Sequence, residues 1–453
     1  MEYGPYSLLV DVAFASIFIL IGQFLRAKVK FFQNFFMPAG LIAGLIGLAL
    51  GPSGANLVVF SSKMSSYAGL LIIFAFVGMG LKGFEVGGFS KMKENMTRLG
   101  GFLCFREIGY ILQYTFPVLF FIYVAPMIWP DLNPGFGFLL GAGWAGGPGT
   151  AAAVASTFQQ YGWDEAMDLA LTIATAGMLF GIFGGIILIK WAAKKGITNY
   201  IKDAKDLPEE MRTGLIPAGK RESIGEETIS SISLDTLSFH IALMCIPAGL
   251  GYLLAQKIGS WYNFSLPTFT VCFLISVLFA FFIDKVGART YVDQRILSNI
   301  SGFAIDYLTF FGIASIKISV VIKYASPLLF IIVFGAFFIT ATLLWLAPKL
   351  NRWDWFERCM FAFGFLTGVY ATAFILMRIV DPQMKSKTLE DTAICAPLTS
   401  PTDILVVTFG PILLSTGQYW AFLGPAFVYL IGFSILAYTM GWWFPKLPLV
   451  RKD

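Results

Sequence analysis

Gly141-Ala-Gly-Trp-Ala-Gly-Gly-Pro-Gly-Thr150-Ala-Ala-Ala153 holds too much glycine and proline for a regular helix, yet it stands among runs apolar enough to lie in a bilayer. Non-helical backbone at membrane depth is tolerated only where protein buries it or where it lines a water-filled cavity. The free N–H groups of Gly146, Gly147, Gly149 and Thr150, with a small-residue helix starting near Ala151, would turn a positive helix end toward a carboxylate. With Pro148 these residues form a candidate substrate-binding loop. Close helix packing through small residues is the competing reading.

The flanking sequence sets the class. Apolar residues make up 57% of the 453-residue chain and charged residues only 13%, with a mean hydropathy of +0.74, against about 25% charge in a soluble domain. The apolar runs recur from end to end, so the chain reads as one all-α integral membrane unit. A crossing needs about 20 apolar residues. The crossings predicted on that rule are 8–25, 38–50, 66–81, 100–128, 167–189, 239–255, 266–283, 300–316, 325–347, 396–414 and 422–444, with 135–158 and 356–380 as broken stretches.

Basic residues orient these runs. If both broken stretches are re-entrant hairpins and the others cross, 26 of the 32 Lys and Arg fall on one face. Only Lys63, Lys257, Lys317 and Lys323 lie opposite. The positive-inside rule then puts the N-terminus outside and the C-terminus in the cytoplasm of a multi-pass cell-membrane protein. If either stretch crossed fully, the later loops would flip and the bias would collapse.

Several functions are disfavoured. His240 is the sole histidine, and the five cysteines fall in or beside apolar runs without metal spacing. A histidine metal site or a catalytic triad has almost nothing to be built from, so no enzyme and no cofactor are expected. The first run has no basic segment before it and ends on Arg26, Lys28 and Lys30, so it reads as a retained span. The polar stretch after Lys190 mixes acids with its bases and reads as a cytoplasmic, partly disordered linker, not a nucleic-acid surface.

The order of features repeats across that linker. Each side carries a first span, a proline-led span (Pro38, Pro267), a third, a long fourth, a broken stretch and a fifth. Five crossings per half invert the second copy, as in many secondary transporters. The expected units are a first repeat at 1–190, the linker at 191–235, an inverted repeat at 236–416 and an added C-terminal helix and tail at 417–453.

The second broken stretch contains Phe363-Gly-Phe-Leu-Thr-Gly-Val-Tyr-Ala-Thr372-Ala. Gly364, Thr367, Gly368 and Thr372 could offer hydroxyl and carbonyl oxygens to Na⁺, by analogy with unwound transporter helices; packing alone is the alternative. Intramembrane ionisable residues default to functional hypotheses, which adds Asp306 and Asp403 as cation ligands. Asp403 stands beside a proline break expected to free carbonyls. Arg378 could fix a substrate carboxylate bidentately or snorkel to the basic face. Asp11, Arg106 and Glu107 lie near span ends and read as interfacial, and Asp164, Glu165 and Asp168 as residues at a mouth.

These residues resemble the glutamate:sodium symporter family. Gly146-Gly-Pro-Gly-Thr150-Ala is similar to its Gly-Gly-His-Gly-Thr-Gly signature, with Pro148 in the histidine's place. Tyr161-Gly162 resembles the family's Tyr-Gly after that helix, and Ala174-Thr-Ala-Gly-Met-Leu-Phe-Gly-Ile-Phe-Gly184 its Ala-Thr-Phe-Gly-Leu-Val-Leu-Gly-Gly span. Gly364-Phe-Leu-Thr-Gly-Val-Tyr-Ala-Thr-Ala373 resembles Gly-Phe-Gly-Leu-Gly-Ala-Thr-Pro-Thr-Ala, with Ala371 in the proline's place. The resemblance implies Na⁺-coupled uptake of glutamate or a related small carboxylate by a ten-span inverted-repeat homodimer, with Na⁺ as the coupling ion. A proton- or cation-exchanging antiporter without an organic solute is the alternative function.

Overall fold

The computed structural model describes residues 4–34, 37–82, 96–200, 213–262, 267–381 and 385–444. The heart of the linker (201–212), most of the basic loop between Lys82 and Arg98, and the basic tail from 445 lie outside the described residues, as does the disorder expected of the linker.

All regular structure among the described residues is helical. The principal helices are α1 (Pro5–Lys28), α2 (Ala39–Leu50), α3 (Ser66–Lys82), α4 (Met96–Tyr123), α5 (Phe138–Trp144), α6 (Gly147–Gln160), α7 (Ala166–Lys194) and α8 (Thr236–Tyr262). They continue as α9 (Thr268–Lys285), α10 (Gln294–Ala314), α11 (Ala325–Leu350), α12 (Trp355–Thr367), α13 (Tyr370–Val380), α14 (Thr388–Ser415) and α15 (Tyr419–Thr439). Nine of the described helices are long and apolar enough to cross a membrane, and α2 and α3 are shorter apolar helices. Together they coincide with the eleven predicted crossings. The chain is an all-helical, multi-pass membrane protein. Pro5 opens α1, where its missing N–H goes unneeded, and Arg26 and Lys28 close it, where cations complement the helix dipole.

The broken stretches are two helices each, and both fold back. In the first, the interruption is only Ala145 and Gly146. The rings of Phe138 and Phe158, which would be roughly 30 Å apart in one continuous helix, have centroids 6.3 Å apart. In the second, Gly368 and Val369 separate α12 from α13, and a Cβ on Gly364 would lie 2.5 Å from Cα of Ala373. The sequence anticipated both interruptions but drew them broader than they are.

The helices sort into two groups by packing. In one, α1 packs on α2 and α8 on α9, while α3 lies against α9 and α10, and α10 also against α2. In the other, both broken pairs pack on α7, with α4, α11 and α14 around them and α15 against α4 and α14. Helix α6 links the groups through contacts to α3 and α10. Beyond α7, the backbone N–H of Asn199 donates to Glu357 Oε1 at 2.7 Å and the Tyr200 hydroxyl to Asp354 Oδ1 at 2.8 Å, strapping the linker's start to the first turn of α12.

One expectation is corrected here. Asp403 was expected beside a break, but α14 runs unbroken from Thr388 to Ser415 with Pro397 and Pro401 inside it. Each proline still removes one donor from the helical ladder, so the freed carbonyls lie along a continuous helix.

Candidate functional site

The two interruptions meet. Gly147 opens α6 at φ +65°, and a Cβ there would overlap Cγ1 of Val369 and stand 3.0 Å from the carbonyl oxygen of Gly368. Only glycine combines the left-handed backbone with that approach. Pro148 sits in the first turn of α6, where a proline costs no helical hydrogen bond. The N-termini of α6 and α13 therefore converge with the C-termini of α5 and α12. Two sets of free amides and two sets of free carbonyls share one locus. Gly147 and Pro148 are buried, whereas Gly146, Gly149 and Thr150 stay partly accessible.

Helix α7 makes this possible with small residues one turn apart. A Cβ on Gly177 would stand 2.5 Å from Cδ1 of Trp144 and 2.8 Å from the Thr367 carbonyl oxygen; one on Gly181 would lie 2.6 Å from Thr367 Oγ1 and 3.3 Å from Thr372 Cγ2. The Trp144 indole donates to the Ile173 carbonyl at 2.9 Å, fixing the first interruption to the same helix.

On the other side, α4 presents Arg106, Tyr110 and Gln113 at i, i+4 and i+7, one helical face. Gln113 Nε2 donates to the Leu366 carbonyl at 2.8 Å, at the end of α12. The Arg106 guanidinium lies 4.8 Å from the Phe365 ring centroid and 6.0 Å from that of Tyr370. It also contacts Asp403 Oδ2 at 3.3 Å. The neighbouring Glu107 accepts the Tyr429 hydroxyl at 2.5 Å, and Tyr429 shares a 2.9 Å bond with Thr402, so α15 reaches into this cluster.

A family model described as sodium/glutamate symporter matches residues 6–368. The chain belongs to the sodium/glutamate symporter family. It is also similar to the sodium/glutamate symporter of Escherichia coli (strain K12), 24% identical over 73% of this chain and 77% of that protein. The corresponding protein of Haemophilus influenzae (strain ATCC 51907 / DSM 11121 / KW20 / Rd) is 25% identical over 74% of this chain and 81% of its own. The family is one of transporters, not enzymes. The matched segment ends at Gly368, inside the second interruption; Asp403 and Tyr429 lie beyond it.

In this symporter-family chain, Gly146, Gly147, Pro148, Gly149 and Thr150 are gathered with Gly364, Thr367, Gly368 and Thr372. Thr367 Oγ1 donates back to the Phe363 carbonyl at 2.6 Å. Thr372, 1% exposed, leaves its Oγ1 without a hydrogen-bond partner. Asp403 adjoins the meeting point through Arg106. Arg378 is not brought there: it is exposed near the end of α13, about 12 Å along the helix from Tyr370. Asp306 lies exposed on α10.

The sequence reading missed Arg106 and Glu107, which are 4% and 1% exposed instead of interfacial. The available signal was the spacing of Arg106, Tyr110 and Gln113. Asp11 is likewise interior, accepting from the Ser61 amide at 2.9 Å, the Tyr67 hydroxyl at 2.8 Å and the Ser61 hydroxyl. Of the acids read as a mouth, Glu165 pairs with Lys323 at 3.0 Å and Asp168 accepts the Lys317 amide at 2.9 Å. Four cysteines are buried; Cys245 is exposed.

Proposed function

We propose that the chain is a secondary active transporter that couples Na⁺ movement to symport of glutamate or a related small carboxylate. The observation that carries this reading is the convergence of two folded-back helix pairs at Gly147 and Gly368–Val369. Their arms hold 7 to 14 residues, roughly 10 to 21 Å, and each alone falls short of a bilayer core of about 30 Å. Broken helices meeting inside the fold are where such carriers place anionic substrates and coupling ions.

In this reading the amides of Gly146, Gly147, Gly149 and Thr150 receive a carboxylate. Na⁺ takes oxygens from Gly364, Thr367, Gly368 and Thr372. The unpartnered Thr372 hydroxyl supports it, since a buried polar group without a partner is costly unless a ligand supplies one.

The same reading divides the chain at the 191–235 linker into two inverted repeats. Its support is the matching order of helices and the pairing of α1 with α2 and of α8 with α9. The second group, with both broken pairs, would move against the first. The N-terminus outside, the basic face in the cytoplasm and a homodimer complete the proposal.

The purified chain should melt at higher temperature with glutamate or a near analogue only when Na⁺ is present. At a hundredfold excess over Kd the gain is about 2.7 kcal/mol. Stabilisation by cations alone, with no acid of a broad panel effective, would instead indicate a cation exchanger.

A further inference from the structure

A buried arginine with one unpartnered nitrogen stands beside the meeting point. Arg106 is 4% exposed, and its Nη1 has no hydrogen-bond partner. Its one ionic contact among the described residues, Nη2 to Asp403 Oδ2, is 3.3 Å, longer than the 2.7–2.9 Å usual for charge-assisted bonds. Asp403 Oδ1 is also unpartnered. A guanidinium can grip a carboxylate through two parallel bonds, and this pair makes one. The Asp403 side chain is 28% exposed and Tyr370 is 38% exposed, so the pair can be approached from their side.

We propose that Arg106 receives a substrate carboxylate and that Asp403 is its placeholder in the empty carrier, so that substrate binding transfers Asp403 to a Na⁺ ion. The proposal rests on the symport reading above and names the residues that couple its two ligands. When a substrate carboxylate takes both Arg106 nitrogens, Asp403 loses the one counter-charge it has among the described residues. A carboxylate whose Oδ1 is buried and unpartnered is disfavoured when its cation is withdrawn. Sodium at Asp403 restores neutrality, so acid and ion bind together. Glu107 accepts the Tyr429 hydroxyl and, being an acid, offers Asp403 no counter-charge.

The test is acid binding to the full-length chain in lipid nanodiscs across a Na⁺ series, using a radiolabelled acid identified by thermal shift. Wild type should gain at least about fivefold in affinity from zero to saturating Na⁺, the low end for coupled sites. Asp403→Asn leaves no orphaned charge, so it should bind the acid in zero Na⁺ as tightly as wild type binds at saturating Na⁺. Asp403→Glu should restore the requirement. Arg106→Lys keeps the charge but loses the two-pronged grip, and should weaken acid binding roughly tenfold or more. A well-folded Asp403→Asn protein that keeps the full Na⁺ dependence would overturn the proposal alone, as would an Arg106→Lys protein with unchanged affinity. A wild type that binds no acid at any Na⁺ concentration would overturn the symport reading and the proposal with it.

Discussion

Asp391 is ion-paired with two arginines at once, Arg98 at 2.8 Å from Oδ1 and Arg358, which also donates a hydrogen bond, at Oδ2, and both Asp391 and Arg358 are at most 2% exposed. The cluster ties the base of α12 to α4 and α14, holding the second folded-back pair in register with the polar face of α4. Removing one member of a buried ionic network leaves the others uncompensated, at about 3–5 kcal/mol. Asp391→Asn should therefore lower the melting temperature markedly while leaving the affinity of surviving folded protein unchanged. A variant as stable as wild type would mean the cluster is dispensable. None of this was visible in the sequence, where Arg98 and Arg358 counted only as positive-inside charges. Charge counting assigns a residue to a face of the membrane and says nothing of its partner. Arg106 was misread because its distance from the end of the hydrophobic run suggested an interface, although its helical spacing to Gln113 marked a common face.

The two interruptions were legible because glycine and proline act locally: Pro148 cannot extend the helix that ends at Trp144 and instead sits in the first turn of a new one. Their meeting was not legible, because it depends on a contact between residues more than 200 positions apart. Nor was the unbroken course of α14, since packing can carry a helix through prolines that would end it in isolation. The contact gives a sharp prediction. Gly147→Leu must adopt φ +65° with a side chain, at about 1–2 kcal/mol, and must displace Val369. The protein should remain monodisperse in detergent but lose the melting shift with acid and Na⁺. A folded Gly147→Leu protein that still binds would remove the first interruption from the site. Val369→Ala, which enlarges the same space without backbone strain, should keep binding.

At the scale of the whole molecule, composition and the recurring apolar runs pointed to an all-helical membrane protein, and hydropathy placed the eleven apolar helices found among the described residues. The grouping of α1–α3 with α8–α10, apart from both broken pairs, emerges only from packing, because helices uniformly apolar around their circumference do not announce their neighbours. That grouping gives the proposed carrier two bodies with the site in one of them. The central claim is coupling, and vesicle uptake tests it most directly. Proteoliposomes containing the chain should accumulate radiolabelled glutamate or the stabilising analogue above its outside concentration under an inward Na⁺ gradient. Equal accumulation with K⁺ replacing Na⁺ would contradict it.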